Sequence, residues 1–88
     1  MSVEFVHVGF DNVVAANRVV AIVGPSSAPV KRMIHEANER HMAIDMTNGR
    51  KTKAVIVLDS GHICLVALQP ETITGRLDAR ARDDEETG

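Results

Sequence analysis

The sequence predicts an α+β domain, a small and mostly antiparallel sheet with two helices, that assembles into a homo-oligomer. Three observations predict the fold. Short β-prone runs alternate with glycine, proline and asparagine turns. One stretch, near residues 28–41, carries a long helical stripe of apolar residues. Two further runs, Val19–Val23 and Ile63–Leu68, are apolar without interruption, the mark of strands covered on both faces. With 88 residues the chain is long enough for one domain and too short for two, expected over residues 1–82.

The elements follow in order. Val3 to Val8 reads as a strand, with Val3, Phe5 and His7 alternating against Glu4, Val6 and Val8. Gly9 and Asp11-Asn12 end it. Asn12 to Val23 is again β-prone, and Gly24-Pro25 stops it because proline offers no ladder donor. Ser26-Ser27-Ala28-Pro29 supplies a hydroxyl to cap a helix and a proline tolerated in its first turn. In that helix Val30, Met33, Ile34, Ala37 and His41 share one stripe, with Lys31, Arg32, Glu36, Glu39 and Arg40 elsewhere. Asn48-Gly49 between β-prone runs predicts a type I′ hairpin in which Thr47 faces Arg50, Met46 faces Lys51 and Ile44 faces Lys53. Asp59-Ser60-Gly61 makes another turn. Pro70-Glu71 opens a second helix expected over residues 70–81 and interrupted by Gly75, and the acidic residues 83–88 are expected to form a mobile tail.

Two helices are few for two strands apolar on both faces, so the pattern predicts that a partner subunit covers part of the sheet. Composition narrows the function classes. The net charge is −2, yet Asp83, Asp84, Glu85 and Glu86 alone contribute −4, leaving +2 for the rest. Between Arg18 and Lys53 lie seven bases against three acids. The chain has no Trp or Tyr and only Phe5 and Phe10, which argues against single-strand modules that stack bases on several rings. No apolar run reaches membrane-span length, and the start lacks a basic region followed by an apolar stretch. With one cysteine, Cys64, no internal disulfide can form. A cytoplasmic protein is expected.

Few constellations carry chemistry. His62 and Cys64 stand two apart, but no second pair matches them for zinc, so no metal is expected. Gly49-Arg50-Lys51-Thr52 lacks the earlier glycine and the following helix of a phosphate-binding loop. Asp45 and Asp59 have no nucleophile or base set beside them by sequence, so neither an enzyme nor a cofactor is expected. What remains is Arg50-Lys51-Thr52-Lys53 after the Asn-Gly turn. Alternation makes such a hairpin tip basic on both sides. That fits a β-ribbon meeting a DNA groove and, equally, a solubilising edge.

The chain also resembles the RemA family of small bacterial regulators of extracellular-matrix genes. The resemblance rests on Asn12–Arg18 with Val19–Val23, on Ser27–Arg32, on the Ile44-Asp45 and Gly49-Arg50 neighbourhood, on Ala54-Val55 with Asp59-Ser60, and on Gln69–Thr72. Together these segments run in order across about Val3 to Leu77. The resemblance implies a ring-like homo-oligomer that binds double-stranded DNA and regulates transcription of biofilm-matrix genes. It places the DNA contacts on Arg18, Arg50 and Lys51, and Lys53 adds field beside them. The family pattern has arginine where this chain has Lys51, and an aromatic residue where it has Asn48. Lysine keeps the charge and loses the bidentate fork. An oligomeric scaffold with protein partners is the alternative reading.

Overall fold

A computed structural model describes residues 3–87, with side chains through residue 79. Strands β1 (Phe5–Gly9) and β2 (Asn12–Ala15) pair antiparallel as a separate ribbon, with Val6 opposite Val14. A single 3-10 turn, Ala16–Arg18, leads into β3 (Val19–Val23). Helix α1 (Ala28–Glu39), β4 (Ala43–Asp45), β5 (Ala54–Leu58), β6 (Ile63–Val66) and helix α2 (Pro70–Thr87) follow. The four later strands form one sheet in the order β3-β5-β6-β4. Its β3/β5 and β5/β6 pairs are antiparallel, and β4 runs parallel to β6.

The alternation of β5 and β6 sorts their side chains between two cores. Ala54, Ile56, Cys64 and Val66 face the ribbon residues Val6, Val8 and Val14, with Ile73 of α2 closing that side. Val55 and Ile63 face Ala37 of α1, with Val30, Met33, Ile34 and Met42 packed around them. The ribbon is the cover that counting helices overlooks. Both faces of β6 are therefore closed within one chain, whereas β3 keeps an open side. There Val20 remains 64% exposed, on a strand at the edge of the sheet.

Both helices differ from expectation at their ends. The Ser27 hydroxyl accepts from the Val30 amide at 3.4 Å, as the capping pattern predicts. Helix α1 stops at Glu39, before the expected residue 41. His41 sits in the left-handed region at φ 58°, while the amides of His41 and Met42 return to the carbonyls of Asn38 and Ala37. This is a Schellman closure with histidine in the place glycine usually takes. It removes His41 from the apolar stripe and leaves it exposed.

Helix α2 passes through Gly75 and beyond residue 81. The alanine, arginine and glutamate that follow favour helix, so one glycine does not end it. The acidic tail expected at 83–88 lies outside the described side chains. Ile73 and Leu77, one turn apart, hold α2 to the core, and the Arg76 guanidinium donates to the His7 carbonyl at 2.8 Å. Among the described residues no helix is long and apolar enough to cross a membrane.

Two glycines give opposite expectations. A methyl group at Gly75 meets nothing within 4 Å, so Gly75→Ala should raise unfolding free energy by about 0.5–1 kcal/mol. At Gly9, φ is +99° and a Cβ would stand 3.2 Å from the Leu68 Cγ, so Gly9→Ala should destabilise by about 1 kcal/mol or more. Denaturant midpoints at one fixed protein concentration check both.

Candidate nucleic-acid interface

The basic segment is built from two tight turns brought together by long-range contacts. The first joins β1 to β2, with Phe10 at φ 54° and Asp11 at φ 67°. Positive values at both central residues match the twist of a two-stranded ribbon. Aspartate tolerates that conformation, whereas a bulky phenylalanine seldom adopts it. The Asn12 side-chain amide holds the turn by donating to the carbonyls of Gly9 at 3.1 Å and Phe10 at 3.2 Å.

The second turn spans Thr47 to Arg50, with the Arg50 amide donating to the Thr47 carbonyl at 3.0 Å. Asn48 and Gly49 take φ 53° and 81°, as the Asn-Gly pair predicts. Asp45 sets the approach to this turn. One of its carboxylate oxygens accepts from the Thr47 hydroxyl at 2.6 Å and from the Thr47 amide at 2.9 Å. Thr47 is thereby buried, 3% exposed, with its hydroxyl satisfied. The hydroxyl bond first, and the amide bond second, hold the Asp45 carboxyl below the usual carboxylate range.

The turn is as expected, but the hairpin is not. β4 and β5 do not pair with each other, because β6 lies between them in the sheet. Ile44 stands beside Cys64 and Asp45 beside Leu65, so Thr47 meets Arg50 only through the bond that closes the turn, and the expected pairs of Met46 with Lys51 and Ile44 with Lys53 do not form. Residues 50–53 precede β5 and are not a strand, although the Lys53 amide donates to the Val66 carbonyl at 2.8 Å. Local turn chemistry set the backbone angles. Burial of the doubly apolar β6 set the partners.

The ribbon turn joins this second turn in three places. The Asn12 side chain also donates to the Met46 carbonyl at 3.0 Å, and the Asn48 side-chain amide donates to the Phe10 carbonyl at 3.4 Å. The Arg50 guanidinium stacks on the Phe10 ring, 3.8 Å from its centroid. Sequence reasoning missed Phe10 and Asn12, which lie some forty positions away in the chain. Their one sequence signal is a glycine, an aspartate and an asparagine flanking one of only two aromatic residues.

Arg50, Lys51 and Lys53 are exposed, and among the described residues no carboxylate pairs with them. Arg18 differs in place and in charge. It ends the 3-10 turn, and its Nε donates to both Asp59 oxygens at 2.7 and 2.9 Å. Asp59 follows β5, whereas Lys53 precedes it. The five residues of β5 span roughly 13 Å, so one subunit brings Arg50, Lys51 and Lys53 together and leaves Arg18 at the far end.

The other constellations stay separate. The His62 Nδ1 is 2.7 Å from the Ser60 hydroxyl in the β5–β6 turn, while Cys64 is buried in the core, where desolvation raises its thiol pKa. Among the described residues no group of three or more His, Cys, Asp and Glu side chains could hold a metal ion.

Fold and site together define a small α+β protein with a cluster of exposed cations, Arg50, Lys51 and Lys53, at and just after the second of two joined turns. The chain belongs to the RemA-like family, described as Extracellular matrix regulatory protein A-like, which it matches over residues 5–77. It is 66% identical over 77 residues to a Dehalococcoides mccartyi protein named "Putative regulatory protein", covering 88% of this chain and 80% of that one. Proteins of the same description from Clostridium kluyveri and Carboxydothermus hydrogenoformans are 52% and 49% identical over 85 residues. Those matches cover 97% of this chain and 92% and 98% of the relatives.

The Asp45 contacts give a pH dependence with a definite sign. A carboxyl whose folded pKa lies below its unfolded value adds stability above the unfolded pKa and loses it as pH falls through the folded one. Acidification below the usual carboxylate range should therefore lower unfolding free energy. Asp45→Asn should show a smaller drop over that window, measured by denaturant titrations at stepped pH.

Proposed function

We propose that this protein is a homo-oligomeric transcriptional regulator that binds double-stranded DNA mainly through its phosphates. One observation carries the reading: Arg50 is held in place with its charge uncompensated, beside exposed Lys51 and Lys53. Family membership and the regulatory names of the relatives support it. Phosphate contacts release counterions and need only well-placed cations, which this cluster supplies. Duplex fits better than single strand. The Phe10 ring, the face on which a base would stack, already carries a guanidinium, and the chain has no Trp or Tyr.

In this reading the subunits join head to tail into a ring. Exposed apolar residues favour it, with Val20 on edge strand β3 and Ile44 on edge strand β4 at opposite sides of one sheet. Two different edges that meet make a heterologous contact, which closes when the rotation allows. Repetition also gives Arg18 a role. It sits far from Arg50 within a subunit, so a second line of DNA contacts runs around the assembly, with Asp59 tempering its charge. Weak contacts repeated in this way act together through effective concentration. The family description extends the proposal to extracellular-matrix genes, read by a cytoplasmic, nucleoid-associated protein without a cofactor.

Titration of duplex DNA across salt concentrations tests the reading. With two or three phosphates per subunit, log K should fall against log salt with a slope of roughly −2 to −3 per engaged subunit. Arg50→Ala should cost at least about tenfold in affinity, since the loss recurs in every engaged subunit. Arg40→Ala, just past α1, should cost little, and Lys51→Arg should hold or raise affinity by restoring the fork. All three should keep the mass of the parent oligomer. Salt-independent binding, or Arg50→Ala binding like the parent, would contradict the proposal and favour a scaffold with protein partners.

A further inference from the structure

We infer that Phe10 is a positioning residue for the DNA contact: its ring fixes the Arg50 guanidinium by the face and leaves the in-plane N–H donors free for a backbone phosphate of duplex DNA. The inference rests on the proposed function and adds a residue from the other turn to the same site.

The geometry separates this role from ordinary packing. Phe10 belongs to neither core and is 37% exposed. The contact that defines its ring is the guanidinium, 3.8 Å from the centroid. The backbone of Phe10 lies at φ 54°, where a bulky residue is rare, and its carbonyl accepts amides from both Asn12 and Asn48. Both turns thus converge on one residue in an uncommon conformation, a pattern associated with functional positions.

Stacking suits arginine in a way that an ion pair does not. A guanidinium carries its five donors in the plane and its π surface above and below it. A carboxylate partner takes donors from the edge, as Asp59 takes the Arg18 Nε. An aromatic face restrains the group without taking any donor and without cancelling its charge. Arg50 has a single distant edge contact, from Nη1 to the Asn48 carbonyl at 3.5 Å, and the remaining edge is available to a bidentate phosphate. Of the two arginines assigned to DNA, Arg50 is restrained and uncompensated, and Arg18 is restrained and compensated.

The test is a duplex titration of the intact oligomer with Phe10→Leu, Phe10→Tyr, and Phe10→Leu combined with Arg50→Ala. Loss of a partly exposed cation–π contact corresponds to about two- to fivefold per engaged subunit, multiplied around the assembly. Phe10→Leu should weaken binding by that factor and keep the parent's salt slope, since no charge is removed. Phe10→Tyr should bind like the parent because the ring face persists. On Arg50→Ala, Phe10→Leu should add nothing. If Phe10→Leu unfolds, Phe10→Met at unchanged oligomer mass reads the same loss.

Parent-like binding by a folded Phe10→Leu or Phe10→Met would overturn the inference. So would an equal loss from Phe10→Leu in the Arg50→Ala background, or a salt slope that falls with the affinity. If Arg50→Ala itself binds like the parent, the proposed function fails. If Arg50→Ala loses binding and the Phe10 variants do not, only the role of Phe10 fails.

Discussion

One side-chain amide organises the candidate interface. Asn12 donates to the carbonyls of Gly9 and Phe10 in its own turn and to that of Met46 across the chain. Without it, two separate turns would each present a loop to solvent. With it, the ribbon turn is registered against the Thr47–Arg50 turn, and Phe10 lies under Arg50. The Asp45–Thr47 pair completes the arrangement from the other side by fixing how the chain leaves β4. Turns this short, tied by amide and carboxylate, place a long arginine side chain with little freedom left to lose.

The placement of that cluster follows from the order of strands. β6 is apolar on both faces and takes an interior position, flanked by β5 and β4. One cover joins the two ends of the chain, the β1–β2 ribbon with α2, and the other is α1 from its interior. This arrangement sends the connection between β4 and β5 past β6 as an open loop. The open loop carries Arg50, Lys51 and Lys53 outward, toward the ribbon turn and away from Arg18. A simple hairpin would have paired those residues across a ladder.

Local chemistry was readable from the sequence wherever one or two residues decide the outcome. Ser27 caps α1, Asn48-Gly49 adopts positive φ, and the Val6/Val8 alternation buries one side of β1. Readings failed where distant segments compete. The β4–β5 hairpin loses to β6, because pairing with a doubly apolar strand buries more surface than pairing across a two-residue turn. The separate ribbon went unread as a cover, since nothing within Val3–Ala15 shows which sheet it packs on. Of the site, the basic residues were legible as charge, whereas their partners were not. Asp59 beside Arg18 and Phe10 beneath Arg50 stand about forty residues away in the chain, and only the folded chain reveals that one arginine is neutralised and the other is not.

The central claim is that the two joined turns form the surface that meets duplex DNA. Amide hydrogen exchange of the protein with and without saturating duplex reads that surface without substitution. Slowed exchange is expected at residues 9–12 and 46–53, with a second, smaller footprint near Arg18 and Asp59, and none along the exposed face of α1. Protection confined to α1, or unchanged exchange at both turns while DNA is bound, would contradict it.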